Sequence, residues 1–231
     1  MKTIARSTLI ALTGGSGAGK TWLANRLCQH FGDEGTSLAL DDFYRDLSHL
    51  DLARREAVNF DHPDTIDWPL FESVMRTLQS GATVLAPRYD FASHTRSTSW
   101  ETRNPRPFIF VEGLWLLWHP RVRHLFHLRV FLDCVQSLRW QQRAARDLGE
   151  RGRNLNSIRE QFWKVVAPMH ERFVEVQKAW ADLVIDQSMT QSKIGRLVAT
   201  IRAVRTEPRP TPSRIDRLRT TAPPVAALHS P

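Results

Sequence analysis

Apolar residues along this chain come in short unbroken runs, separated by stretches in which they recur every three or four positions. The first run, residues 7–13, ends in Gly14-Gly15-Ser16-Gly17-Ala18-Gly19-Lys20-Thr21, after which Trp22, Leu23, Leu27 and Phe31 return at helical spacing. This predicts strand, glycine loop and helix in succession. Further short runs at residues 37–40, 108–111, 129–132 and 183–185 alternate with helix-length segments, the pattern of a parallel sheet with crossover helices. Ser157 followed by Glu160 predicts a capping box opening a long helix, and Pro168 predicts a kink or break in it ahead of residues 169–180. Residues 59–69 and 89–107, rich in Asp, His, Pro, Ser and Thr, predict functional loops or a small hairpin inserted between sheet elements. The sequence has no internal repeat.

A chain of 231 residues, 42% apolar and 24% charged, suffices for one core that buries roughly 70% of the unfolded chain's surface. The apolar runs fall far short of the ~20 residues that span a bilayer, and the N-terminus lacks a signal-peptide core, so the expectation is a cytoplasmic protein without membrane contact. Cys28 and Cys134 are too few for a disulfide framework or a four-cysteine zinc site, in keeping with a reducing compartment. The formal charge of +8 attracts anionic partners, but its distribution matters more than its total. Residues 205–231 hold five arginines against Glu207 and Asp216, and six of the 13 prolines. That composition predicts a flexible tail beyond a domain spanning residues 1–204. The excess left on the domain suits a phosphate site, so nucleic acid is not expected as the main partner.

The segment Gly14 to Thr21 matches GxxxxGK[ST] in full, between the strand and the helix that the motif requires. Gly14, Gly15, Gly17 and Gly19, with Ser16 and Ala18, let the backbone curl with its N–H groups turned toward phosphate oxygens. Lys20 reaches the terminal phosphates and the Thr21 hydroxyl ligates Mg²⁺. A plain glycine turn needs one or two of these glycines and no Lys-Thr pair. Glu112 closes the run at 108–111, which puts a carboxylate at the C-terminal edge of a strand, where ligands of such sheets collect. Asp41 and Asp42 follow the second run in the same way, and on chemistry alone either could accept the proton of an acceptor alcohol; the other reading is helix capping. Arg139, Arg143 and Arg146 share one helix face, and Arg151 and Arg153 follow beyond Gly149. Together they suggest a lid over phosphates, near 139–155, in which Asp147 and Glu150 position the arginines.

These segments resemble the uridine kinase (uridine–cytidine kinase) family of P-loop kinases from Leu9 to about Asp186. The resemblance rests on the phosphate loop, Asp41-Asp42-Phe43-Tyr44, Asn59-Phe60-Asp61-His62-Pro63, Pro87-Arg88-Tyr89-Asp90-Phe91 with His94 and Arg96, Glu112-Gly113, and Arg146-Asp147 through Arg153. It implies a P-loop NTPase-type α/β fold, a parallel sheet flanked by helices, with an inserted substrate-binding hairpin and an Arg-rich lid. It implies Asp41 as catalytic base, Asp61 on the ribose hydroxyls, Tyr89, Phe91 and His94 around the base, Arg143, Arg153 and Gln161 near sugar and phosphate, Arg146 and Arg151 in the lid, and Glu112 at the metal. It further implies ATP or GTP as donor, Mg²⁺, a homo-oligomer, and transfer of phosphate to the 5′-hydroxyl of uridine or cytidine in pyrimidine salvage. Leu40, Trp115 and Trp118 depart from the family pattern. Two other readings use the same motifs: a P-loop kinase for another small alcohol (nicotinamide riboside, pantothenate, glycerate or ribulose 5-phosphate), and a nucleotide-dependent regulatory protein whose tail contacts RNA.

Overall fold

Strand β1 (Thr8–Gly14) is buried at every position, because it lies at the centre of its sheet with a neighbour on each edge and a layer on each face. The computed structural model describes residues 6–149, 152–186 and 188–206. The chain continues through α1 (Lys20–Phe31), β2 (Gly35–Ala39), α2 (Leu52–Glu56), α3 (Trp68–Gln79), β3 (Val84–Ala86), β4 (Tyr89–Asp90), β5 (Thr95–Arg96), β6 (Glu101–Arg103), β7 (Phe108–Gly113), α4 (Pro120–Arg123), β8 (Leu128–Asp133), α5 (Gln136–Gly149), α6 (Leu155–Gln161), a single turn α7 (Ala167–Met169), β9 (Leu183–Asp186) and α8 (Gln191–Thr206). The main sheet has the order β2-β7-β1-β8-β9, and every pairing in it is parallel. Its five strands fall on the five apolar runs of the sequence.

Side chains alternate across the sheet and divide the core in two. Leu9 and Ala11 face α3, whose buried stripe is Phe71, Val74, Met75 and Leu78. Ile10 and Leu12 face α1 and α8 through Leu23, Leu27, Leu197 and Ile201. The Asp67 carboxylate accepts from Leu70 N–H at 3.1 Å and caps α3, and Pro69 stands in its first turn. The segment 84–103 forms two short antiparallel pairs, β3 with β6 and β4 with β5, so a hairpin does project from the sheet there.

Three expectations change. The helix expected from Ser157 is capped earlier: Asn154 Oδ1 accepts from Ser157 N–H at 2.8 Å and α6 begins at Leu155. Asn caps at least as well as Ser, and standing after the Gly152 turn it takes the role first. Pro168 does not stop the helix. It lies in α7 between two π turns, Phe162–Val166 and His170–Val174, and the chain stays helical to Trp180. The wider π register absorbs the backbone bond that proline cannot make. Arg205, the first residue of the expected tail, belongs to α8 and donates to the Pro107 carbonyl at 2.6 Å; residues 207–231 lie outside the described residues. Among the described residues no helix is long and apolar enough to cross a membrane.

Candidate active site

The phosphate loop leaves β1 and turns directly into α1. No side chain caps that helix, so its first N–H groups stay available to an anion. Gly17 has φ +78°, and a Cβ there would collide with the Arg139 carbonyl of α5, so this turn of the loop admits glycine alone. Lys20 Nζ donates to Gly15 O at 3.0 Å, and Thr21 Oγ1 donates to Glu112 Oε1 at 2.9 Å. Burial pushes the Lys20 pKa down, opposed by the nearby charges of Glu112 and Asp41. Burial pushes the Glu112 pKa up, opposed chiefly by Lys20. A half-buried carboxylate whose charge is costly, bonded to a hydroxyl, is a set of hard oxygen ligands that fits a divalent cation carried in on a phosphate.

Asp41 and Asp42 share a 3₁₀ turn, Leu40–Phe43, at the end of β2. They point to different tasks. Asp42 accepts from Tyr89 N–H at 3.3 Å and anchors the β4–β5 hairpin, and burial raises its pKa. Asp41 keeps a buried Oδ1 without a hydrogen-bond partner, and its charge acts on Lys20, Glu112 and Asp61. Asp61 is itself buried, with its pKa raised by desolvation against the pull of Arg143, whose guanidinium lies 3.9 Å away.

Arg143 joins the two sides. It donates to Ser16 Oγ in the phosphate loop at 2.8 Å and to Gln161 Oε1 at 3.1 Å, while Arg153 donates to the same amide oxygen at 2.5 Å. Asp147, completely buried on α5, lies 3.4 Å from Arg143, 2.7 Å from Arg146 and 3.7 Å from Arg153, which fixes the fan of arginines from behind. Arg146 and Arg153 remain part-exposed. Arg139 does not join this fan: it is buried behind the loop, against Gly15 and Gly17. Arg151 lies outside the described residues.

The hairpin supplies an aromatic enclosure. Tyr44 packs on Phe60 at 5.2 Å and on Tyr89 at 5.1 Å, His94 stacks on Phe60 at 5.0 Å, and Tyr89 meets Phe91 edge-on at 5.4 Å. Burial raises the Tyr89 phenol pKa further. Phe91 is the most exposed of the group. His94 has φ +53°, rare for a residue with a Cβ, and the Arg55 guanidinium donates to the neighbouring Ser93 carbonyl at 2.7 Å, which supports the strained turn. Tyr44 and Phe60 escape sequence reasoning as wall residues, although both lie within segments that carry the resemblance.

On the other side of the loop opens a cleft of about 450 Å³, bordered by Ala18, Gly19, Trp22, Gln142, Asp186 and Met189. Trp22 looks like a core position from its helical spacing but is half exposed and borders this cleft. No local signal marks Gln142 or Met189. His170 is also unforeseen: it lies against Gly15 with its pKa lowered to about 4, mainly by burial and the Arg139 charge.

Residues 9–194 match the model of the phosphoribulokinase / uridine kinase family. A uridine kinase of Deinococcus deserti is 39% identical over 199 residues, covering 85% of this chain and 96% of the relative. A uridine kinase of Chloroflexus aggregans is 40% identical over 177 residues, 76% and 85% of the two chains. Among solved structures the fold is shared with a putative fructose transport system kinase from Silicibacter (TM-score 0.63, 21% identity, 78% and 90% covered) and with phosphoribulokinase from Rhodobacter spheroides (TM-score 0.58, 18% identity, 80% and 73% covered). The P-loop, the arginine fan and the carboxylates at the strand ends between them all fall within the residues that match this family, and relatives about 40% identical share nearly the whole of that span: the chain belongs to the phosphoribulokinase / uridine kinase family.

Proposed function

We propose that the protein transfers the γ-phosphoryl group of ATP or GTP to the 5′-hydroxyl of uridine or cytidine, in the cytoplasm, as a step of pyrimidine salvage. The observation that carries this reading is the position of Asp41. Its buried, unpartnered Oδ1 is an unused acceptor at the end of β2, within electrostatic range of Lys20 on the donor side and Asp61 on the acceptor side. A ribose diol suits the acceptor-only Asp61 carboxylate, and a flat pyrimidine suits the wall of Phe60, Tyr89 and His94, with the imidazole offering a directional bond to the base edge. The names of the relatives, uridine kinases at 37–40% identity, point to the same acceptor.

In this mechanism the loop amides and Lys20 hold the donor's phosphates, and its base lies in the cleft beside Trp22 and Gln142. Thr21 and Glu112 would hold Mg²⁺, which would supply positive charge against the donor's phosphates. Asp41 takes the proton of the 5′-hydroxyl as its oxygen bonds to the γ-phosphorus and the bond to the nucleoside diphosphate breaks. Arg143, Arg146, Arg153 and, outside the described residues, Arg151 neutralise the equatorial oxygens, and Gln161 holds two of these guanidinium groups in register.

ADP release with ATP and Mg²⁺ across uridine, cytidine, adenosine, nicotinamide riboside, pantothenate, glycerate and ribulose 5-phosphate tests the proposal. Turnover is expected with the two pyrimidine nucleosides, and Asp41→Asn is expected to lower kcat by about 10²–10⁴-fold while leaving ATP affinity within a few-fold. Turnover confined to another alcohol would overturn the substrate, and an active Asp41→Asn protein would overturn the base.

A further inference from the structure

Arg139 is buried to 3% exposure and, among the described residues, has no carboxylate within salt-bridge distance. Its Nε donates to the Cys134 carbonyl at 3.1 Å, and its Nη1 is buried with no hydrogen-bond partner. A buried guanidinium held by one carbonyl is expensive, and burial accordingly lowers its pKa. Its surroundings show where the missing partner belongs. A Cβ built on Gly15 would lie 2.7 Å from Arg139 Cδ and 2.9 Å from its Nη1, and the Arg139 carbonyl presses on Gly17, so the residue supports the phosphate loop directly from behind. Its charge already acts on Lys20 at the front.

His170 explains why no carboxylate neutralises Arg139. Among carboxylates Glu175 acts most strongly on Arg139, yet Glu175 is occupied: it pairs with His170 Nε2 at 3.2 Å and with Lys178 Nζ at 2.5 Å, and Lys178 in turn reaches Asp133 at 2.9 Å. The other face of the His170 ring turns a buried, unpartnered Nδ1 toward Gly15, 2.8 Å from the same constructed Cβ. The imidazole is thus a neutral spacer between an acid and a cation.

We propose that Arg139 is a positioning residue and rear counter-charge for the donor's triphosphate, kept unpaired for that purpose by His170. It touches no phosphate; it acts through the loop, fixing the curl of Gly15 and Gly17 and adding a desolvated positive charge beneath the amides that do touch it. The inference rests on the donor reading of the phosphate loop.

The test combines melting temperature with titration of ATP, tripolyphosphate and adenosine into the full chain. Arg139→Met is expected to melt no lower than the unaltered protein, since it removes an unpaired buried charge, while its Kd for ATP and for tripolyphosphate rises about 10-fold and that for adenosine stays within about twofold. Arg139→Lys, which restores the charge, is expected to recover most of the loss. A lowered melting temperature with ATP affinity unchanged would make Arg139 a structural residue and overturn the proposal, as would equal losses for ATP and adenosine. Should Arg139→Met fail to fold, His170→Ala carries the test: with the spacer gone, Glu175, still paired to Lys178, gains access to Arg139, which should weaken ATP binding about fivefold, and adding Glu175→Gln should restore it. ATP affinity unaltered in His170→Ala overturns the proposal. If the unaltered protein does not bind ATP at all, the donor reading itself falls, which separates the two failures.

Discussion

At the scale of single residues, the site is built from groups held in unfavourable states. Burial raises the pKa values of Asp42, Asp61 and Glu112 together, and lowers that of Lys20 beside them. For a carboxyl whose folded pKa lies above its unfolded value, the folded protein binds the extra proton. Its stabilising contribution is therefore present at low pH and is lost as pH rises through the folded pKa. At neutral pH these charges oppose folding until ligands compensate them. Asp61→Asn removes one such charge at the cost of a 3.9 Å contact to Arg143. It is expected to raise the melting temperature of the unliganded protein by roughly 2–4 °C at pH 8, with the gain fading toward pH 4, while activity falls by about two orders of magnitude. Melts from pH 4 to 8 check this, and a gain that does not change with pH would refute it.

At the scale of elements, what the sequence reveals depends on how locally each element is determined. The inner strands β1, β7 and β8 are legible because both faces of the parallel sheet are covered there, so their residues read as apolar runs such as Phe108-Ile109-Phe110-Val111, whereas the part-exposed edge strands β2 and β9 leave only short ones. The phosphate loop is legible because its chemistry is contiguous. The π turns around Pro168 are not, since they arise from the fit of a helix that must pass a proline while presenting His170 to Gly15. Trp22 of α1, Gln142 of α5 and Met189 between β9 and α8 are brought to one cleft only by the fold. Between these extremes stands α5, whose arginine face the spacing reveals but whose division of labour it does not: one turn separates Arg139, behind the loop, from Arg143, which faces Ser16. The buried Asp147 holds the forward arginines in place. Asp147→Asn leaves Arg146 and Arg153 without this buried counter-charge and Arg143 with Asp61 alone, and a loss of about 3 kcal/mol in chemical denaturation, with a larger fall in kcat than in donor affinity, is expected. Full kcat with unchanged stability would show that the fan does not depend on it.

At the scale of the whole molecule, the phosphate loop, proposed to take the donor, and Asp61, proposed to take the acceptor, are joined by a chain of contacts through one side chain, Ser16–Arg143–Asp61. Arg143 has a discrete partner on each side, so a triphosphate that draws the loop and Ser16 toward itself also fixes the guanidinium beside the residue assigned to the ribose. Binding on either side then reduces the ordering left for the other, and the two affinities are linked. With a non-hydrolysable ATP analogue saturating, the Kd for uridine is expected to fall about 10-fold, and by thermodynamic necessity uridine must tighten the analogue by the same factor. Ser16→Ala keeps the loop backbone and removes only the hydroxyl that receives the Arg143 bond, so it should reduce that factor to about twofold or less while each ligand alone still binds. Paired titrations measure both factors, and the comparison is decisive because a general weakening of the site would lower the two single-ligand affinities and leave their ratio intact. A coupling factor unchanged in Ser16→Ala would mean that the two sides communicate by some route other than Arg143.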